Sequence, residues 1–448
     1  MKVPGHTMIL SRLTLAILLA LATGCESPDD RSAARPNILL ITVDTLRTDH
    51  LGTYGYRLPT SPAIDSLAAE GVRFSRCLAT APETVPAAAS LLTGLYQGRH
   101  RSLHNRASLP GDVTTLAERL RDAGYNTAGF TGNFLLSEKY GFAQGFGHFE
   151  DFSSKSPWEG SSDDRGVALA ADWLRSAPAE PWFLWVHLMD PHGPYVSAAP
   201  WWSESFAYEP GIFAQDPPVP LSKTNFGLGV IPAYQAIRNA TLLSDFVRRY
   251  DGEIRFTDAQ IGSLLGTVAR LGQREQTLVV LTADHGESLV EHREFLQHGW
   301  FLYDTTVRVP LIFSWPGTIE GGQERTDERS ATDIVPTILE LAGIRYAEQD
   351  FDGLSAALLS SSTQDTSARA HLTRSPRTNN AVAVSMGGWK LIFTPAGVPD
   401  DPTKKPRAGG YGTPERIELY NLADDPGEEH DLAPSRPDDV RRLRVLLP

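Results

Sequence analysis

Two apolar runs in this chain of 448 residues each end in a carboxylate. Thr277–Ala283 leads into Asp284-His285-Gly286-Glu287, and Pro36–Val43 leads into Asp44. Carboxylate oxygens with an imidazole nitrogen are ligand types for a divalent metal. A single Asp-His pair would pass for a turn with a helix cap. The second run, ending in Asp44, turns the balance towards a shared site. A continuous apolar run reads as a buried strand of a parallel sheet, and in such sheets ligands gather beyond the carboxyl ends of the strands. Asp44, Asp284 and His285 are therefore expected on one rim.

The elements that must carry these residues alternate. Ser61 to Gly71 has apolar residues at helical spacing and closes on a glycine. Thr114 to Ala123 repeats the pattern and leads into a strand at Asn126–Thr131; a helix at Val167–Leu174 precedes a strand at Trp182–Leu188. A long helix, about Ala240 to Leu271, precedes the run that ends at Asp284. Helices alternating with apolar strands predict an α/β fold with a doubly wound, mostly parallel sheet. From Thr373 the pattern changes to short strands separated by turns, which predicts a small antiparallel subdomain. The segment from Pro194 to Pro218 has no period and is expected to wall the substrate pocket.

The first residues carry another signal. Lys2 and Arg12 precede the apolar stretch Leu13–Ala22, which is short for a membrane span and has the length of a signal-peptide core. Ala22-Thr23-Gly24-Cys25 is similar to a bacterial lipoprotein cleavage box; an ordinary signal peptide with an incidental cysteine is the alternative. The expected organisation is a signal peptide over 1–24, a lipidated tether over 25–35 starting at Cys25, a catalytic domain over 36–372 and a small subdomain over 373–448. That places the chain across the bacterial inner membrane, as a periplasmic or cell-surface lipoprotein. Beyond Cys25 only Cys77 remains, so no disulfide framework is available. A net charge of −13 argues against nucleic acid as a partner and against adhesion to anionic lipid by charge.

Several segments resemble one family in unbroken order. They are Pro36-Asn37-Ile38 through Asp44-Thr45-Leu46-Arg47-Thr48-Asp49-His50-Leu51-Gly52, Thr60-Ser61-Pro62, Ser90-Leu91-Leu92-Thr93-Gly94 and Asp190-Pro191-His192-Gly193-Pro194-Tyr195. Asp284-His285-Gly286-Glu287, Arg308-Val309-Pro310, Thr332-Asp333-Ile334-Val335-Pro336 and Glu418-Leu419-Tyr420-Asn421-Leu422 continue the series. From about Pro36 to Leu432 the chain resembles the sulfatases of the alkaline phosphatase superfamily. The resemblance implies the fold of that superfamily and hydrolysis of an ester of an inorganic acid.

It also implies roles. The sulfatase nucleophile is a Cys or Ser oxidised to formylglycine, followed by any residue, Pro, a small residue and Arg. Here Thr84 stands at that place, with Pro86 retained and Ala87 and Ala88 where Ser and Arg would be. Oxidised threonine would be a ketone, so formylglycine chemistry is not expected. Thr84 instead resembles the metal-bound threonine of phosphodiesterase and phosphotransferase branches, its hydroxyl activated by the cation; the alternative is a helix N-cap without chemistry. Thr45 stands where many sulfatases have a second Asp, and His285 where they have Asn or Gln. An imidazole in place of a hard oxygen shifts preference from Ca²⁺ towards Zn²⁺ or Mn²⁺. One divalent metal is expected, on Asp44, Thr84, Asp284 and His285. A second is left open, with Asp251 as a candidate ligand but Arg255 where a histidine would help.

His192 and His298 are expected to act on the transferred group or the leaving oxygen, with satisfied core histidines as the alternative. Asn133 is expected to reach substrate. Arg47 is expected near substrate or as the residue that orients the loop after Asp44. The reading is a metal-dependent hydrolase cleaving a phosphate or phosphonate ester, or transferring the phosphoryl group, through Thr84. The substrate is a small-molecule, glycan or lipid ester. The alternatives are a sulfatase acting without formylglycine and a non-catalytic binding relic, which metal analysis would separate.

Overall fold

The computed structural model describes Met1 and residues 35–153, 163–196, 218–223, 229–237, 240, 242–358, 369–378, 381–397 and 414–448. The expected signal peptide, the tether with Cys25 and most of the expected wall from Pro194 to Pro218 lie outside these residues. No helix among the described residues is long and apolar enough to cross a membrane.

The strands, in chain order, are β1 (Asn37–Val43), β2 (Val72–Phe74), β3 (Cys77–Leu78), β4 (Asn126–Thr131), β5 (His148–Asp151), β6 (Trp182–Leu188), β7 (Thr277–Ala283), β8 (Arg308–Val309), β9 (Leu311–Ser314), β10 (Gln323–Arg325) and β11 (Arg329–Ser330). Four more follow: β12 (His371–Ser375), β13 (Ala381–Met386), β14 (Trp389–Thr394) and β15 (Arg416–Asn421). Eight of these form one sheet in the order β10-β2-β9-β7-β1-β6-β4-β5. All pairings in it are parallel except those that β9 makes with β2 and β7. The apolar sequences of β1 and β7 are explained by their place: every residue in both strands is buried.

Register sets the height of the site. Val43 pairs with Ala283 on one side and Leu188 on the other, so Asp44 and Asp284 leave the sheet level with each other. Thr42 lies opposite His187, and His187 opposite Thr131, two residues before Asn133. Helices cover the sheet. Leu243–Arg270 packs against Pro62–Ala69 and Asp163–Arg175, while Thr84–Thr93 packs against Ile334–Leu341. The sequence placed the long helix within three residues at each end.

β12 to β15 form an antiparallel meander. The boundary expected at Thr373 falls inside β12, because the first strand begins at His371. Residues 36–448 form one compact unit. A buried ionic network stitches the meander to the rest. Lys390 of β14 holds Asp304 at 2.9 Å and Glu428 at 2.8 Å, and Asp304 also pairs with Arg76. Arg76 reaches Glu328, which accepts from the Ser385 hydroxyl of β13. Burial alone would raise the Asp304 carboxyl, but Arg76 and Lys390 pull it far below the ordinary range.

Candidate active site

Asp44 leaves β1 with its backbone N–H on the Leu188 carbonyl, 2.9 Å away. Asp284 leaves β7, and its Oδ1 accepts the N–H of His285 at 2.8 Å. His285 is fixed by a 2.9 Å contact between Nδ1 and the Gly286 carbonyl, which leaves Nε2 facing the carboxylates. A side chain at 286 would meet the Thr305 carbonyl oxygen at 2.2 Å, so a glycine is needed for the turn to close. Nε2 of His285 lies 3.7 Å from Asp44 Oδ1 and 3.6 Å from Asp284 Oδ2. Both of those oxygens are buried and lack a hydrogen-bond partner among the described residues.

Thr84 opens the helix Thr84–Thr93. It is not the N-cap, a place held by Glu83, so its hydroxyl is not engaged in capping. Thr84 Oγ1 lies 3.4 Å from His285 Nε2. A helix N-terminus beside it favours anionic charge.

The loop after Asp44 is held under tension. Thr45 is buried at φ 56°, a left-handed conformation that costs a β-branched residue about 1–3 kcal/mol. Tyr250, from the long helix, donates to the Thr45 carbonyl at 2.6 Å and accepts from the Arg47 N–H at 3.0 Å. Arg47 itself binds Asp49, the Glu287 carbonyl and Glu291. Of the two expectations for Arg47 these bonds favour the second: it staples the loop after Asp44.

Asn133 lies beside Asp44. Its Nδ2 donates to Asp44 Oδ2 at 2.7 Å, and its Oδ1 accepts from the Leu135 N–H at 3.0 Å. These bonds hold Asn133 against Asp44, which it orients. Asp251, the candidate for a second metal, faces His50 Nδ1 at 2.7 Å and the Tyr56 hydroxyl at 2.6 Å, while Arg255 pairs with Asp258. No second ligand cluster of His, Cys, Asp and Glu assembles among the described residues.

His192 and His298 do come to the site. The His298 ring centroid is 4.3 Å from that of His285 and 5.2 Å from that of His192. His298 Nδ1 meets Glu287 Oε1 at 3.0 Å, and the Tyr195 hydroxyl donates to the other oxygen of Glu287 at 3.2 Å. Burial lowers the pKa of all three histidines, and for His298 the neighbouring imidazoles add to it. The cluster is therefore neutral at pH 7. For the carboxylates burial acts first and upwards on both. Asp44 nevertheless ends low, held by His187, His192 and His285, whereas Asp284 is raised further by Asp44 beside it. Two buried carboxylates at close range favour one shared cation.

The chain matches the sulfatase family model over residues 36–344. It belongs to the sulfatase family. Bovine arylsulfatase A is 27% identical over 96% of this chain and 90% of that protein. Two solved structures share the fold at 20% identity each. One, a protein in complex with its substrate D-glucosamine-2-N,6-O-disulfate, covers 92% of this chain and 97% of that one with a TM-score of 0.75. The other, the phosphonate monoester hydrolase of Agrobacterium radiobacter, covers 92% and 96% with a TM-score of 0.68. This sulfatase-family chain is accordingly an ester hydrolase of the alkaline phosphatase superfamily. Proteins of the family bind a divalent metal, and here Asp44, Asp284 and His285 present ligand atoms within 4.8 Å of one another. The orphaned oxygens of Asp44 and Asp284 fit that role.

Three residues of this sulfatase-family site escaped the sequence reading. His187 sits below Asp44, its Nε2 3.6 Å from Asp44 Oδ2. Trp185 Nε1 donates to Thr42 Oγ1 at 2.9 Å, and the same hydroxyl meets His187 Nδ1 at 2.8 Å, which fixes the ring beside Asp44. Its signal was a lone histidine in an apolar strand. Glu287 was legible as the end of the Asp-His-Gly-Glu motif but was given no role. Arg377, just after β12, pairs with Glu83 and lies near the His298 carbonyl. Nothing in the local sequence links position 377 to position 84.

Proposed function

We propose that this protein hydrolyses a phosphate or phosphonate ester, or transfers its phosphoryl group, with Thr84 as nucleophile. The observation that carries the reading is an uncapped, unmodified type of hydroxyl, Thr84 Oγ1, 3.4 Å from His285 and on the same rim as two orphaned carboxylate oxygens. A divalent cation on Asp44, Asp284 and His285, for which the imidazole favours Zn²⁺ or Mn²⁺, would lower the pKa of the Thr84 hydroxyl and polarise the ester. Thr84 attacks phosphorus in line and the bond to the leaving oxygen breaks, giving a phospho-threonine that water or another alcohol then releases. His192 and His298, neutral and adjacent, are the groups that take up the threonine proton and return it to the leaving oxygen. Asn133, His187 and Arg47 hold Asp44 and its loop in place. Asp251, the candidate for a second metal, is engaged by His50 and Tyr56, so the reading is built on one cation.

Thr84→Ala removes the attacking atom and is expected to lower kcat by on the order of 10³ or more, with no phospho-enzyme trapped. Thr84→Ser keeps the hydroxyl and should retain a measurable rate. Rates on matched aryl phosphates, phosphonates and sulfates, with mass spectrometry of the peptide containing Thr84, check both. A carbonyl at Thr84, sulfate ester as the best substrate, or full activity in the Ala variant overturns the reading.

A further inference from the structure

The metal rim of this site is lined by neutral and acidic groups, and one guanidinium stands at its edge. Arg377 follows β12, and its Nε binds the Glu83 carboxylate, one residue before Thr84. Its Nη1 points at the His298 carbonyl, 3.4 Å away. The guanidinium lies on Gly299, where a Cβ would come within 2.9 Å of its central carbon and push it from its place; the φ of 100° at Gly299 favours glycine by itself. The ring of Trp300 flanks it at 5.9 Å. The position is thus built from a buried carboxylate, a backbone carbonyl, a glycine floor and an aromatic wall.

Exposure gives the pair a direction. The Glu83 side chain is 2% exposed and that of Arg377 is 37%. The negative end is buried against the nucleophile and the positive end opens outwards. Among the described residues Nη2 of Arg377 has no hydrogen-bond partner, unlike Arg47, which is bound to Asp49, the Glu287 carbonyl and Glu291. Thr84 is 2% exposed, so a group transferred to it sits deep, and a leaving group that extends towards solvent past the partly exposed Arg377 would meet its guanidinium. Arginine anchored on one edge presents a planar pair of donors to an incoming oxyanion.

We propose that Arg377 is a specificity-determining residue that binds an anionic substituent on the leaving group of the ester. The favoured substrate class is then an ester whose leaving alcohol or phenol carries a carboxylate, sulfate or second phosphate. This inference rests on the proposed ester hydrolysis at Thr84 and adds to it the charge of the part released.

Two aryl phenylphosphonates test it, one with a neutral leaving phenol and one whose leaving phenol carries a sulfonate. The readout is the ratio of kcat/KM for the anionic ester over the neutral one, which cancels effects common to both. Wild type should prefer the anionic ester, and Arg377→Gln should lower that ratio about tenfold, chiefly through KM, with Arg377→Lys keeping part of it. In wild type alone the preference should shrink as salt rises, because the guanidinium is partly exposed. An unchanged ratio in the Gln variant, equal losses on both esters, or a salt-independent preference overturns the proposal and leaves the Glu83 pair as a structural tie. The two readings fail separately. If wild type cleaves neither ester, the reaction assigned to Thr84 is wrong. If it cleaves both without preference, only the role of Arg377 is.

Discussion

At the scale of single residues, the site is mostly a problem of charge without water. Glu294 shows it most simply. It is buried beside Glu291 and Glu287, and its carboxyl is pushed up to about 8 by desolvation, against hydrogen bonds from the Trp300 and Phe301 N–H groups and the charge of Arg377. A carboxyl raised from 4.5 to about 8 keeps its proton in the folded state while the unfolded chain loses one. Its contribution to stability is therefore complete below about pH 4.5 and is lost progressively up to about pH 8, then levels off. Glu294→Gln mimics the protonated form and should be flat over that window. Thermal unfolding of both proteins between pH 5 and 9 should show the Gln variant gaining on wild type, with the gap constant above pH 8. A gap independent of pH would mean that Glu294 is ionised throughout.

At the scale of elements, what the sequence could show was decided by periodicity. β1 and β7 were legible because a strand buried on both faces needs an unbroken apolar run, and the residues that end such runs then stand out. Asp44, Asp284 and His285 were found this way, and the fold brings them together. Thr84, His192 and His298 were found by their place in family motifs, and they too lie at this rim. The bond from Asn133 to Asp44 was not legible, since an amide looks the same in sequence whether it faces substrate or a neighbouring carboxylate, whereas the loop-orienting alternative for Arg47 was. His187 was hidden for a different reason: its partners Thr42, Trp185 and Asp44 belong to two strands, and only their register unites them. Because β6 carries this support to Asp44 of β1, His187→Ala should weaken metal binding about 10- to 100-fold, as losing an outer support of a ligand generally does. Metal titration by calorimetry, with circular dichroism to check the fold, would measure it. Unchanged affinity would mean that Asn133 alone orients the ligand.

At the scale of the whole molecule, the α/β architecture and the terminal antiparallel sheet were both readable, but the boundary between them was not. β12 starts at His371, two residues before the change of pattern read from Thr373. The export and anchoring expected of the first residues are a separate matter for fractionation. Cys25→Ser should move the protein from the membrane fraction to the soluble exported one; continued membrane association would reject lipidation at that residue. The ionic network around Lys390 bears on descent as much as on stability. Asp304 and Arg76 come from one part of the chain, Lys390 and Glu428 from another, and each is buried on the assumption that the others are present. Recombination that brought in a terminal sheet without a lysine and a glutamate at these places would strand Asp304 and Arg76, at a cost of several kcal/mol. Tails in this lineage are therefore expected to drift by point changes in place, with the network inherited as a block, and not to be traded between genes.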